Sequence, residues 1–365
     1  MRNRLHALCP YFAMFPESFA ERWIRRLTVP GDLVLDPFSG RGTTAFTALL
    51  LDRQAVACDT NAVAYCITRA KACAPSLGRL KRRIAHLEEL FRPDDWKEIA
   101  AEMPKFFSWC YARPTLLQLL YLRCTLRWRS SNVDSMIAAL VLGALHGDDV
   151  ESKNYLSNQM PRTISTKPGY SVRFWRARGL RPQIRNVFQV LRERADFRYD
   201  SEIPKRKGLV IFGDMRSLPS YKDNIPIKVR CVVTSPPYFN VTNFEEDQWL
   251  RLWFLGGPSL PRQSSASKDD RHTNKKAYAK FITDMWASLR PILAKDAHVV
   301  IRIGARNLAR EEVSGWLITG ARQMKVNAKL VSSRLSKLRN AQTRSFRPGS
   351  EGCRFELDYH FELAA

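Results

Sequence analysis

At 365 residues and 45% hydrophobic content, the chain can form one large or two ordinary domains with ample core. No apolar stretch approaches bilayer length, the N-terminal run is broken by Pro10, Pro16 and Glu17 and lacks a signal-peptide pattern, and eight scattered cysteines without a C-x-x-C pair fit neither a disulfide framework nor a zinc cluster. The expectation is a cytoplasmic protein with reduced thiols, no metal and no membrane. With 59 Lys and Arg against 35 Asp and Glu, the net charge of +24 argues instead for a polyanionic partner.

In chain order, Asp32 to Leu35 reads as a short buried strand, followed by a glycine turn and a helix from about Thr43 to Leu51. Ala55 to Cys58 predicts a second strand ending at Asp59, so the segment is a βαβ start to a parallel sheet. Residues 75–205 change character, becoming helical and rich in Leu, Trp and Arg, with Leu116, Leu117, Leu119, Leu120 and Leu122 forming a broad apolar stripe. Strand patterns return at Leu209 to Phe212, Val229 to Val233 and His298 to Ile303. Near the end, Phe355, Leu357, Tyr359 and Phe361 alternate with polar residues as in a half-exposed strand. The expected organisation is an α/β domain made of 1–74 and 206–365, split by a mostly helical insertion at 75–205. Residues 256–276, full of Gly, Pro, Ser and charge, predict a mobile loop.

Two loops carry chemistry. The first, Asp36-Pro37-Phe38-Ser39-Gly40-Arg41-Gly42-Thr43-Thr44-Ala45, turns on Gly40 and Gly42 between strand and helix. As G-x-G-x-x-A, with Asp59 seventeen residues beyond Gly42, it imitates a dinucleotide fingerprint. Asp36 separates the two possibilities: a carboxylate there would repel a pyrophosphate but attract the ammonium and sulfonium of S-adenosylmethionine. Asp59 is placed to accept ribose hydroxyls, and Asp214 could accept from the adenine amino group. Either aspartate alone is more simply a helix cap or turn residue; three acidic strand ends in one sheet are harder to dismiss. The second loop is Thr234-Ser235-Pro236-Pro237-Tyr238, after a buried strand. Proline has no N–H and a fixed φ, so the pair ends the strand and leaves carbonyls bare. A flat ring there meets an acceptor carbonyl, the Ser235 hydroxyl and the face of Tyr238, which suits an exocyclic amino group on a nucleobase. An ordinary strand-ending turn has the same composition.

Taken together, these motifs resemble the S-adenosylmethionine-dependent DNA amino-methyltransferases, which methylate exocyclic nitrogens of cytosine or adenine. The resemblance rests on Asp36 to Thr44, Asp59-Thr60-Asn61, Gly213-Asp214, and Thr234 to Tyr238 with Asn240. It extends to Tyr11-Phe12-Ala13-Met14-Phe15-Pro16 and to Tyr278 through Gly304, about 200 residues in all. It implies a Rossmann-like, mostly parallel sheet with helices on both faces. It also implies S-adenosylmethionine contacts from Tyr11, Phe12, Pro16, Asp36, Pro37, Phe38, Gly40, Gly42, Thr43, Thr44, Asp59, Asn61, Asp214, Met215 and Thr234. Ser-Pro-Pro-Tyr members usually act on cytosine N4 and Asp-Pro-Pro-Tyr members on adenine N6, so the implied product is N4-methylcytosine. A restriction endonuclease reading the same site is the implied partner.

An amino nitrogen conjugated to a base ring is a poor nucleophile. The expected site therefore holds its two N–H groups on the Pro236 carbonyl and Ser235 hydroxyl, with Tyr238 stacking on the base and Asn240 holding the loop in shape. A base inside a duplex must first flip out. Between Glu151 and Val210 fourteen basic residues stand against five acidic ones, and from Ala321 to Ser350 eight stand against none. Arginines interleaved with aromatics suit phosphates and unstacked bases, so Arg173, Trp175, Arg176 and Arg178 are candidate contacts to double-stranded DNA, with Asn240 beside the target base. Trp175 reads equally well as a core residue.

Overall fold

The computed structural model describes residues 3–11, 15–148, 153–239, 244–261, 274–305, 309–337 and 355–363. The predicted 256–276 loop lies largely outside these residues, as do Phe12 and Asn240.

Contacts divide the chain into two compact units. One comprises residues 13–68, 204–242 and 268–365. Its centre is a seven-stranded sheet of order β3-β2-β1-β4-β5-β7-β6. The strands are β1 (Leu33–Asp36), β2 (Gln54–Asp59), β3 (Leu209–Phe212), β4 (Val229–Thr234), β5 (Leu293–Ala305), β6 (Ala328–Lys337) and β7 (Phe355–Leu363). The first five pair in parallel, and β7 runs antiparallel to both β5 and β6. Short apolar runs such as Leu33-Val34-Leu35 are buried on both faces, as parallel strands are.

Alternation along β7 places helices on both faces. Phe361 packs edge-on to Trp286 of the helix Lys275–Leu289. On the other face His360 meets Trp23 of α1 (Glu17–Leu27), with ring centres 5.1 Å apart. The first face carries the main core, in which Leu33, Leu35, Val56, Val232, Val299 and Ile301 pack against Tyr278, Met285 and Leu317.

Two strand expectations are corrected. β7 is not half-exposed: Glu356, Asp358 and His360 are buried, as Leu357 and Tyr359 are on the opposite face. The strand lies inside the sheet, between β5 and β6, and its polar row is covered by partners from β5 and α1. β6 was not foreseen, because Lys329, Ser332, Ser333 and Arg334 make it read as a charged surface segment. It is one of the sheet's two edge strands, where charge discourages further pairing.

The second unit comprises residues 1–12, 69–203 and 243–267. It is helical, with Asn132–Ala144 buried nearly throughout. Its fixed point is Arg251, fully buried, which donates to the carbonyls of Leu142, Arg162 and Thr163 and to the Gln248 side chain. A buried guanidinium needs its donors satisfied, and here carbonyl-type oxygens satisfy them.

Candidate active site

In a sheet of this order the crevice lies where the strand sequence reverses, between β1 and β4, beyond their carboxyl ends. Both predicted loops leave the sheet there. β1 ends at Asp36 and runs into the glycine loop, which closes into α2 (Thr43–Leu50). Gly42 sits in the left-handed region at φ 71°, and a Cβ there would fall 2.6 Å from Thr68 Oγ1. Only glycine fits that turn. Thr68, on α3 (Ala62–Ala72), also donates to the Gly40 carbonyl at 3.0 Å.

Two carboxylates bound the loop. Asp59, ending β2, accepts from the Gly40 N–H at 2.7 Å and the Asn61 N–H at 2.9 Å. Burial nonetheless pushes its carboxyl up to about 7, against the pull of those donors and with the help of Asp36's charge. Asp36 is 1% exposed, accepting from the Thr234 hydroxyl at 2.6 Å and the Phe38 N–H at 3.1 Å. Burial raises it to about 6, with the same bonds opposing. Two buried carboxyls held above their ordinary range would be relieved by a cation and by further donors. S-adenosylmethionine offers an ammonium and two ribose hydroxyls, so the donor set fits the acceptors.

The other predicted cofactor residues divide. Pro37 is buried and Phe38 half-buried, the latter packed 5.3 Å from Phe281. Asn61 caps α3 through Val63 N–H, and Asp214 caps the short helix after β3 through Arg216 N–H. Asp214 also pairs with the Arg216 guanidinium at 3.0 Å. Thr43 is buried beside the Arg41 guanidinium, and Thr44 donates to the Val233 carbonyl, tying α2 to β4. Pro16 stands just before α1. Tyr11 is buried and belongs to the helical unit. Met215 is a core residue, 2% exposed, its sulfur accepting the Ser288 hydroxyl.

On the β4 side, Ser235 donates to the Tyr238 hydroxyl at 3.2 Å, so its own lone pairs remain to accept. Tyr238 donates in turn to Glu356 of β7 at 3.2 Å. Tyr278 donates to the Pro237 carbonyl at 2.9 Å, anchoring the loop from the core. Pro236 is buried. Glu356 and Tyr278 were not predicted as site residues, since 118 and 41 residues separate them from their partners and no spacing rule spans that distance.

In the helical unit, Trp175 is corrected. It is fully buried, donates its indole N–H to the Gln159 carbonyl at 2.6 Å and packs on Phe106, so it belongs to the core. Arg173, Arg176 and Arg178 are exposed on or just after the helix Pro168–Ala177. Arg178 lies 4.0 Å over the Phe174 ring, which stacks with exposed Tyr170. Arg176 lies 5.0 Å over Trp109. No described helix is long and apolar enough to cross a membrane, and among the described residues no group of three or more metal-type ligands occurs.

The strand order and the acid-bounded glycine loop define the class: a Rossmann-like methyltransferase fold of the S-adenosylmethionine-dependent kind. Residues 2–69 match the family model described as DNA methylase, of the N6/N4 type. The chain is also similar to the Type II methyltransferase M1.MboII of Moraxella bovis, 51% identical over 47 residues, which are 13% of this chain and 18% of that one. Over that short N-terminal stretch and in its two motifs, the chain is similar to the DNA amino-methyltransferases, and it spans less than a fifth of the length of that relative. Solved structures similar to it include TrmN from Thermus thermophilus (TM-score 0.37, 11% identity, covering 99% of this chain and 52% of that one). An rRNA methylase from Streptococcus thermophilus is another (TM-score 0.35, 8% identity, covering 97% and 99%). At such scores the strand order, not the likeness, carries the fold assignment.

Proposed function

We propose that the protein is a site-specific DNA methyltransferase that uses S-adenosylmethionine to methylate the N4 amino group of a cytosine flipped out of duplex DNA. The observation that carries this is the hydrogen bond from Thr234 to Asp36, which joins the cofactor loop to the Ser-Pro-Pro-Tyr loop at the strand-order reversal. Methyl donor and amino acceptor would thus be held by two ends of one bonded unit.

S-adenosylmethionine supplies a methyl group on a sulfonium. The chain's residues bind and orient. Asp36 and Asp59 attract the cofactor's cation and hydroxyl donors, and the loop at Gly40 and Gly42 allows close backbone approach. The Ser235 hydroxyl and Pro236 carbonyl accept the base's two N–H groups, which draws the nitrogen lone pair out of conjugation. The Tyr278 bond to the neighbouring Pro237 carbonyl fixes the direction in which that acceptor points. Tyr238 faces the base. Such positioning supplies much of an in-line transfer's rate.

Arg173, Arg176 and Arg178 would neutralise phosphates, in keeping with the net charge of +24. A place in a restriction-modification system is in keeping with the name of the Moraxella relative; an endonuclease reading the same site would then be its partner.

The test is incubation with unmethylated DNA and methyl-labelled S-adenosylmethionine, then digestion to nucleosides and mass spectrometry. N4-methylcytosine is expected. N6-methyladenine would keep the enzyme and overturn the base assignment. Label in RNA alone would overturn the DNA substrate.

A further inference from the structure

An amino nitrogen that has gained a methyl group carries one proton too many, and the site as read above has to release it. From Ser235 a file of side chains leads away from the base. The Ser235 hydroxyl donates to the Tyr238 oxygen, and the Tyr238 hydroxyl donates to Glu356 Oε1, each at 3.2 Å. Glu356 is 9% exposed on β7, and its Oε2 lies 3.2 Å from the Arg302 guanidinium of β5. Arg302 is also bidentate on Asp358, at 2.6 and 2.8 Å, and lies 3.9 Å over the Phe19 ring. Two buried carboxylates thus face one guanidinium, and the cluster carries one negative charge in excess. A proton arriving on Glu356 brings the buried cluster to neutrality, with Asp358 still paired to Arg302.

We propose that Ser235, Tyr238 and Glu356 form a proton relay in which Glu356, a positioning residue acting through Tyr238, accepts the proton displaced from the methylated amino nitrogen. The inference rests on the base-methyltransferase reading and deepens it. As the N–C bond forms and the C–S bond breaks, the C–S electron pair stays on sulfur. The nitrogen's surplus proton passes to Ser235 Oγ, the serine's own proton to Tyr238 and the tyrosine's to Glu356, which becomes a neutral acid and later discharges to solvent. No oxidant, metal or covalent enzyme intermediate enters. Both bonds of the relay already point in the required direction.

Burial holds the Glu356 carboxyl above the usual carboxylate range; Arg302 and the Tyr238 bond pull it down and the charge of Asp358 raises it. Among the described residues, Arg302 of β5, Tyr238 of the loop after β4 and Asp358 of β7 itself are the titratable or charged groups that face it. A carboxylate shifted upward is the better proton acceptor at neutral pH.

Single-turnover transfer, with S-adenosylmethionine and DNA both saturating, tests the relay across pH in wild type, E356Q, Y238F and the double variant. The wild-type rate should fall as pH drops through the raised Glu356 range, because a protonated carboxyl accepts nothing. Each single variant should slow transfer roughly tenfold or more and lose that acid limb. The double variant should be no slower than either, since both break one chain. Independently of turnover, NMR titration of 13C-glutamate-labelled protein should show the Glu356 carboxyl moving up in Y238F, where its donor is gone. Wild-type rates and an intact acid limb in Y238F, or effects that multiply in the double variant, overturn the relay. Y238F leaves the Arg302 cluster whole, so it decides the matter even where E356Q folds poorly. A wild-type protein that labels neither DNA nor RNA overturns the methyltransferase reading and the relay with it, whereas an active wild type with unmoved variants overturns the relay alone.

Discussion

Asp36 and Asp59 show how one environment sets two opposite pH responses. Their carboxyls are raised to about 6 and about 7, chiefly by burial. An acid whose folded-state pKa is raised favours the fold in its protonated form; that contribution is present at low pH and is lost as pH rises through the raised values. The cofactor-free protein should therefore lose melting temperature between roughly pH 4 and 7, and Asp59→Asn should flatten the slope. S-adenosylmethionine affinity should run the other way, weakening as pH falls through the same window, because the ligand's cation and hydroxyls favour charged carboxylates. Calorimetric titration of the cofactor at several pH values checks this, and an affinity that is flat across the window would count against the assignment of these acids. At Gly42 the expectation is steric. Gly42→Ala combines a left-handed backbone with a contact on Thr68 and should cost about 1–2 kcal/mol or more in urea unfolding, along with cofactor binding.

Among the elements, the helix Pro168–Ala177 separates core from surface within a few residues. Trp175→Ala should cost about 3–5 kcal/mol of stability, because it opens a cavity against Phe106 and leaves the Gln159 carbonyl without its donor. Substituting Ala for Arg173, Arg176 or Arg178 should leave stability nearly unchanged. Each should weaken DNA binding across all sequences and lower the salt slope by about one unit. Thermal melts beside fluorescence anisotropy at several salt concentrations distinguish the two behaviours. The helix Lys275–Leu289 offers a gentler case, since Tyr278→Phe keeps the ring and removes the hydroxyl that bonds the Pro237 carbonyl. About 1 kcal/mol of stability should go, with a larger loss in kcat than in cofactor affinity, as the loop's acceptor carbonyl loses its fixed direction. A helix period alone could not tell Trp175 from its exposed neighbours, because arginines flank it on both sides. Tertiary contacts with Phe106 and Gln159 settled its place.

Over the whole molecule, a charge of +24 should make DNA affinity fall steeply with salt, by roughly tenfold or more between 50 and 200 mM. A flat dependence would remove phosphate contact from the account. What the sequence determined by itself is local. Apolar runs marked β1 to β5, glycine and proline marked the two loops, and acidic residues at strand ends marked where a cationic ligand would sit, because each of these signals is written within a few residues. Tertiary structure alone decided what depends on distant pairing. It placed β7 inside the sheet and β6 at its edge, since a strand's exposure follows from its neighbours and not from its own alternation. It buried the polar row of β7 against Arg302. It joined Asp36 to Thr234 across 198 residues and Tyr238 to Glu356 across 118. A hydrogen bond needs atoms within about 3 Å in space and sets no limit on their separation along the chain, so these links became legible only when the sheet brought their strands together.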